Sequence, residues 1–443
     1  MIRYAALILV CLSLISNVSS SQQKEDGKNT YEELKKELLQ LRAQLDTLKL
    51  TLAAAQTDPS DELDVVSERL EKRMRELENK IGAVSRATAP IVFNPRTTAF
   101  INFAARGDDK AVLDESGIAK IDNRPFLRTV ELDFRAPVDP YADAVVILSL
   151  EDKAGTGFGV DAEEAYGVLK QLPILESAPL GLKLKVGKFR APFGVNNKLH
   201  MHDLPWTTRP LIVSRYLGTE HGDFFESGYN PVGVDFDFFL PNPVSGTTLE
   251  MNLDVVRAGE LALLRSAESK QPGYLAHVNL SADWNNEHIL VLGASGYREG
   301  GSNSMSLLGF DATYRWAPSE RRESRSFVVG GEAFFGRRSF QDSMNAEFVQ
   351  KPYGWFAYTQ YQLSYWLYVG ARYDWLQEPA DEKLTTKSWS LYGSYYTTEF
   401  LRLRLGFEHR QSDISAQDNR NTVHFEINFV FGAHPTEPYW VNR

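Results

Sequence analysis

The chain has 443 residues, 43% of them hydrophobic and 12% aromatic, and a formal net charge of −10, while its mean hydropathy is slightly negative. That balance excludes a bundle of membrane helices and a Lys/Arg-rich nucleic-acid surface, and it fits a β-barrel with one apolar and one wet face. The one cysteine, Cys11, lies in the leader, so the mature chain would carry no disulfide, thiolate metal site or cysteine nucleophile.

Residues 1–21 read as a secretory signal peptide. Arg3 supplies the positive region, Ala5 to Leu12 with Leu14 and Ile15 the apolar region, and Ser19, Ser20 and Ser21 a small-residue cleavage site. A membrane anchor is the alternative, but the run falls short of the roughly 20 apolar residues a spanning helix needs. Cys11 as a lipoprotein anchor is disfavoured because it sits inside the apolar region.

Residues 22–90 read as a periplasmic coiled-coil stalk. Thr30 and Glu33 have capping-box spacing. Tyr31, Leu34, Leu38, Leu41, Leu45, Leu48 and Leu52 then form a heptad seam. Asp58 and Pro59 end the first helix and open a second, whose seam runs Leu63, Val66, Leu70, Met74, Leu77, Ile81 and Val84 with one stutter. A lone amphipathic helix packed on its own domain is the alternative. A seam of this length favours self-association, most simply as a homotrimer.

From Thr97 the hydrophobic period changes to 2, and residues 91–443 read as an outer-membrane β-barrel. Sixteen strands are expected: 97–106, 126–135, 143–151, 162–169, 180–187, 231–240, 247–256, 274–283, 287–297, 305–316, 326–336, 352–363, 365–376, 387–397, 400–411 and 421–431. Alternation alone would also suit a soluble sandwich. The connections decide, because those after even-numbered strands are mostly short and those after odd-numbered strands mostly long, as in transmembrane barrels. Trp316, Phe335, Trp355, Trp375, Trp389, Tyr395 and Phe431 fall near strand ends on apolar faces, where interfacial girdles form. Arg128 falls on the lipid side of the second strand, as a snorkelling rim residue.

The fold class is therefore all-β, a sixteen-stranded antiparallel transmembrane barrel preceded by an α-helical coiled-coil segment. The connection 188–230 is far too long for a hairpin, and its aromatics and prolines argue for order. It is expected to pack in the lumen as a constriction loop.

Gly187-Lys188-Phe189-Arg190-Ala191-Pro192-Phe193-Gly194, continuing through Leu199 to Trp206 and Arg209-Pro210, resembles the segment after the fifth strand in the phosphate-selective porin O and P family. The ending Phe429-Val430-Phe431-Gly432-Ala433-His434-Pro435 is similar to that family's last strand and tail. The resemblance implies a sixteen-stranded trimeric channel whose third external loop folds inward. It also implies a constriction lined by Arg and Lys. The matching positions are Lys188, Arg190, Lys198, Arg209 and Arg215 in the loop, with Lys183, Lys185, Arg315, Arg372, Arg402, Arg404 and Arg410 on inward wall positions. Guanidinium and ammonium groups would replace the hydration a phosphate-like anion loses on entry.

Inward acids stand against an anion filter: Glu131, Asp133, Asp235, Asp237, Glu250, Asp254, Asp311, Glu332, Asp374, Glu408 and Glu426. The bland reading of so mixed a wall is a water-filled lumen with opposed charges. His200, His202, Asp203 and His221 suggest a metal site only weakly, since no set of four spaced ligands is apparent, and polar loop residues are the expectation. No nucleophile elbow occurs, so no enzyme activity and no cofactor are expected. The function expected is passive diffusion of small hydrophilic solutes, anions among them, across an outer membrane whose lipid is one partner. The alternative is a structural tether whose stalk contacts the cell wall.

Overall fold

A computed structural model describes Lys36 and residues 95–432, apart from 111, 114–118, 122–124, 154–156, 173–177, 219–227, 243, 260, 262–270, 301–303, 342–346 and 415–418. The expected signal peptide and the expected stalk, Lys36 excepted, lie outside the described residues.

The barrel strands are β1 Arg96–Asp108, β2 Pro125–Pro137, β3 Ala142–Lys153, β4 Gly157–Leu169, β5 Lys183–Lys188, β6 Val232–Leu240, β7 Thr247–Val256 and β8 Gly273–Trp284. They continue as β9 His288–Glu299, β10 Ser304–Trp316, β11 Phe327–Gln341, β12 Tyr353–Gln362, β13 Leu367–Gln377, β14 Thr385–Thr398, β15 Leu401–Ser412 and β16 Arg420–Gly432. Each pairs antiparallel with the next, and β16 returns to β1 in the register Ala99↔Phe431 and Ala105↔Phe425. The sixteen strands thus close into a barrel, which leaves no sheet edge open. A short strand, Glu347–Gln350, extends the β11–β12 corner.

The alternation is inverted relative to a water-soluble protein. Along β15, Arg402, Arg404, Glu408 and Arg410 are buried, while Leu405 between them is 60% exposed. Along β16, Thr422, His424, Glu426 and Asn428 face in and Val423, Phe425, Phe429 and Phe431 face out. A one-residue slip would exchange the two sets, so the pattern pins the register. Phe335, Trp355, Trp389, Tyr395 and Phe431 of the expected girdle are exposed on the outer face.

The tight turn between β8 and β9 illustrates the shorter connections. Asn285 and Asn286 both have positive φ, 58° and 55°, and asparagine tolerates the left-handed region that a primed hairpin turn demands. The connections after even-numbered strands, such as 285–287, 363–366 and 399–400, all leave one rim. The longest connections, 109–124, 189–231 and 257–272, leave the other. Exceptions occur on both rims: the β3–β4 and β9–β10 connections, 154–156 and 300–303, are short on the long-loop rim, and the β4–β5 connection, 170–182, is long on the other.

Two expectations are corrected. The fifth strand starts at Lys183, not at Leu180, because Pro179–Gly181 forms a 3₁₀ turn in which Leu180 has φ 54°. Arg128 does not face lipid. The β1–β2 register slips by one residue there, from Asn102↔Thr129 to Phe103↔Leu127, and the bulge turns Arg128 inward. It is 2% exposed and its Nη1 lies 3.5 Å from Glu426 Oε2.

The main hydrophobic cluster lies inside the barrel. Loop residues Phe189, Phe193, Leu204, Trp206, Ile212 and Tyr216 pack with inward residues such as Tyr297, Phe334, Phe356, Tyr358, Leu376 and Tyr392. One sector of the lumen is filled with apolar packing and the remainder stays polar.

Candidate functional site

The loop 188–230 is bound to the barrel wall along its described length. At its base Asn197 donates from Nδ2 to the carbonyls of Ala191 and Tyr229 and accepts from Tyr229 N–H at 2.7 Å. The two ends of the loop are thereby tied together. Gly194 N–H donates to Ser295 Oγ of β9. Glu332 of β11 accepts from the N–H groups of Val195 and Asn196 and from Asn196 Nδ2. Gly194 has φ +64°, and a Cβ there would stand 2.3 Å from Glu332 Oε2; only glycine meets both demands.

Residues 202–208 are held by guanidinium groups. Arg402 Nη1 donates to His202 O at 2.8 Å, Arg404 Nη2 to Leu204 O at 2.6 Å, and Arg372 Nη1 to Thr208 O at 2.6 Å. The remaining faces of these side chains meet carboxylates. Arg402 and Arg404 lie 2.6 and 3.4 Å from Glu426, and Arg372 lies 2.7 Å from Asp374 and 3.6 Å from Glu408. Each guanidinium thus divides its fork of donors between a loop carbonyl and a carboxylate. Trp206 sits beneath this clamp, with the Arg372 guanidinium 5.0 Å from its ring and Tyr358 4.8 Å away edge-on. Farther along, Leu211 N–H donates to Asp374 Oδ1 and the Tyr216 hydroxyl donates to Gln377 O. Burial pushes the Tyr216 phenol pKa up, which keeps it a neutral donor.

The bases anticipated as an anion filter divide into two groups. Arg209, Arg372, Arg402 and Arg404 are buried, and each spends N–H donors on loop carbonyls; those of Arg209 go to Asn196 O and Leu199 O. Arg410 bonds Glu408, Arg315 is buried in the wall and Arg215 is partly covered. The second group lies along β4–β6. Lys183 pairs with Asp237 at 3.8 Å, Lys185 with Asp235 at 3.6 Å and Lys188 with Asp161 at 3.6 Å. Arg190 bonds Glu163 and approaches Glu164 at 3.9 Å.

Part of this second group borders a cavity of about 310 Å³. Lys185, Arg190, Lys198 and Arg135 contribute bases, while Glu131, Asp133, Glu164, Asp203, Asp235, Asp237 and Glu250 contribute acids. Carboxylates outnumber Lys and Arg in this lining, as they do on the inward positions counted from the sequence.

The turn His200–Asp203 brings two imidazoles against β2. His200 Nδ1 and His202 Nδ1 lie 3.2 and 3.1 Å from the same atom, Glu131 Oε2. On its other side His200 Nε2 meets Glu164 Oε1 at 2.7 Å. Burial and the nearby Arg190 charge disfavour the His200 imidazolium, but the adjacent Glu131 and Glu164 carboxylates outweigh them and the pKa is pushed up to about 9. The Phe100 ring stacks on His202 with centroids 3.7 Å apart and fixes the imidazole plane. Sequence reading grouped His200, His202 and Asp203 but missed Glu131 as their partner, because it is contributed by a strand distant in sequence. His221 lies outside the described residues.

Several other functional side chains were missed. Asn196, Asn197, Trp206 and Thr208 carry the loop's attachment, and Phe334, Phe356, Tyr358 and Tyr392 form its seat. The available signal was that β11–β14 carry bulky rings on both faces, whereas a wall facing only water needs them on one.

No family model matches this chain. A protein of Aquifex aeolicus described as uncharacterized is 24% identical over 353 residues, covering 71% of this chain and 70% of that protein. Among solved structures the chain is similar to an anion-selective porin from Comamonas acidovorans, with 13% identity, 76% of this chain and 99% of that chain covered, and a TM-score of 0.48. It is similar also to OprB of Pseudomonas putida, with 10% identity, 76% and 94% coverage, and a TM-score of 0.49.

Proposed function

We propose that this chain is a passive outer-membrane porin whose lumen is narrowed by the loop 188–230. The observation that carries the reading is the inverted barrel: Leu405, Val423, Phe425 and Phe431 are exposed outside while Arg404, Glu426 and Asn428 are buried inside. In water such an outer band would drive aggregation, and in a bilayer it meets acyl chains while every strand amide is paired within the closed sheet. On this reading the rim of short turns is periplasmic, and the chain works as a homotrimer in contact with outer-membrane lipid.

Solutes pass beside the loop, along the cavity lined by Lys185, Lys198, Asp235, Asp237 and Glu250. The mixed walls set up a transverse field that orients polar molecules without binding them tightly, and multiple weak contacts allow entry and release. The excess of carboxylates there favours small neutral, zwitterionic or cationic solutes. Phosphate-like anions would find local contacts at Lys183, Lys185 and Lys198, but the Arg372, Arg402 and Arg404 guanidiniums are engaged in holding the loop. Liposomes containing the purified chain test the reading through swelling rates in sugars of increasing size. Swelling that falls steeply with solute size is expected, and no swelling above protein-free liposomes would overturn it in favour of a tether.

A further inference from the structure

We propose that His200, His202 and Glu131 form a divalent metal site of the Zn²⁺ class that fastens the loop to the barrel wall. One potential ligand atom from each residue lies within 4.8 Å of the other two. Two of the ligand edges, Glu131 Oε2 to His200 Nδ1 and to His202 Nδ1, are 3.2 and 3.1 Å. With metal bonds of roughly 2.0–2.2 Å in a tetrahedron, neighbouring ligand atoms stand about 3.3 Å apart. None of these three atoms has a hydrogen-bond partner of acceptable geometry among the described residues, although all three are buried. Two imidazole nitrogens converging on one carboxylate oxygen are an arrangement that a cation satisfies fully.

The surroundings supply what metal-bound imidazoles ordinarily have. The opposite nitrogen of His200 meets Glu164 Oε1 at 2.7 Å, and that of His202 lies 3.5 Å from Asp203 Oδ1. Carboxylates in those positions orient a ligating imidazole and raise its basicity. Imidazole and carboxylate together suit Zn²⁺ and its first-row neighbours, not Ca²⁺ or Mg²⁺, which prefer oxygen alone. All three residues also line the lumen cavity, so a fourth coordination position would open onto solvent.

Metal binding at these residues does not depend on conduction and is tested by a binding measurement. The full-length, tag-free chain in detergent is titrated with ZnCl₂ by calorimetry, and with CoCl₂ by visible absorption. One ion per chain and the intense visible bands of four-coordinate Co²⁺ are expected. His202→Gln should abolish the bands, and Glu164→Gln, which removes no ligand, should weaken Zn²⁺ binding by about 10–100-fold. Heat-modifiable gel mobility checks that each variant retains the barrel, and Leu405→Ala, on the outer face, serves as a folded control that keeps every ligand. Absence of binding by the folded native chain would overturn the proposal, as would equal affinity in native chain and His202→Gln.

Discussion

Arg404 Nη2 donates to the Leu204 carbonyl at 2.6 Å, joining the fifteenth strand to the middle of the long loop. The same guanidinium reaches Glu426, which Arg402 and Arg128 also approach. One buried carboxylate therefore balances three cations, two of which hold loop carbonyls.

Removing that carboxylate should cost more than removing any one cation. Glu426→Gln leaves Arg128, Arg402 and Arg404 facing one another without their shared anion, and a loss of about 3–5 kcal/mol is expected from breaking a buried pair on one side. Arg128→Met should cost less, since Arg402 and Arg404 still satisfy Glu426. Denaturant midpoints of the two variants measure the ordering.

Trp206→Ala should loosen the clamp from the apolar side. The indole meets Phe356, Tyr358 and Tyr392 and carries the Arg372 guanidinium on its face. Truncating a buried aromatic of this size costs about 3–5 kcal/mol. Because the loss falls on the loop-to-wall contact, limited proteolysis within 188–230 should speed up while the barrel stays resistant.

Gly194→Val should release the loop's first anchor. A branched side chain disfavours φ +64° and would collide with Glu332, at a cost of about 1–3 kcal/mol in backbone strain alone. Glu332 would then lose the N–H donors of Val195 and Asn196. Faster hydrogen exchange at those two amides, with exchange in the strands unchanged, is the expected result.

The sign of the pore's preference should follow the carboxylates of the β6–β7 wall. Asp235→Asn combined with Asp237→Asn leaves Lys183 and Lys185 without their paired charges. The cation-over-anion permeability ratio should fall severalfold, since lumen potentials of a few kT are at stake. Reversal potentials in a salt gradient give the ratio directly.

Much of the fold was legible because it rests on two simple regularities. Period-2 alternation in strands such as Leu401–Ser412 and Arg420–Gly432 set the inward and outward faces, and the alternation of short and long connections separated the two rims. What alternation cannot report is a slip in it, and the bulge at Arg128 reversed that residue's face. The lumen was less legible for a different reason. Arg372, Arg402 and Arg404 look alike whether they line a path for anions or hold backbone carbonyls, and only the position of Thr208, His202 and Leu204 decides between the two. The pairing of Glu131 with His200 and His202 likewise depends on where a loop returns to the wall, which no local spacing encodes.

The central claim is that an open aqueous pore exists and that the clamped loop sets its width. Single-channel recordings in planar bilayers should compare the native chain with one in which residues 196–227 are replaced by a short Gly/Ser linker. Discrete ohmic steps from the native protein, with a severalfold larger conductance after the replacement, are the predicted result. A native chain that folds into the bilayer without conducting, or a conductance that the replacement leaves unchanged, would contradict it.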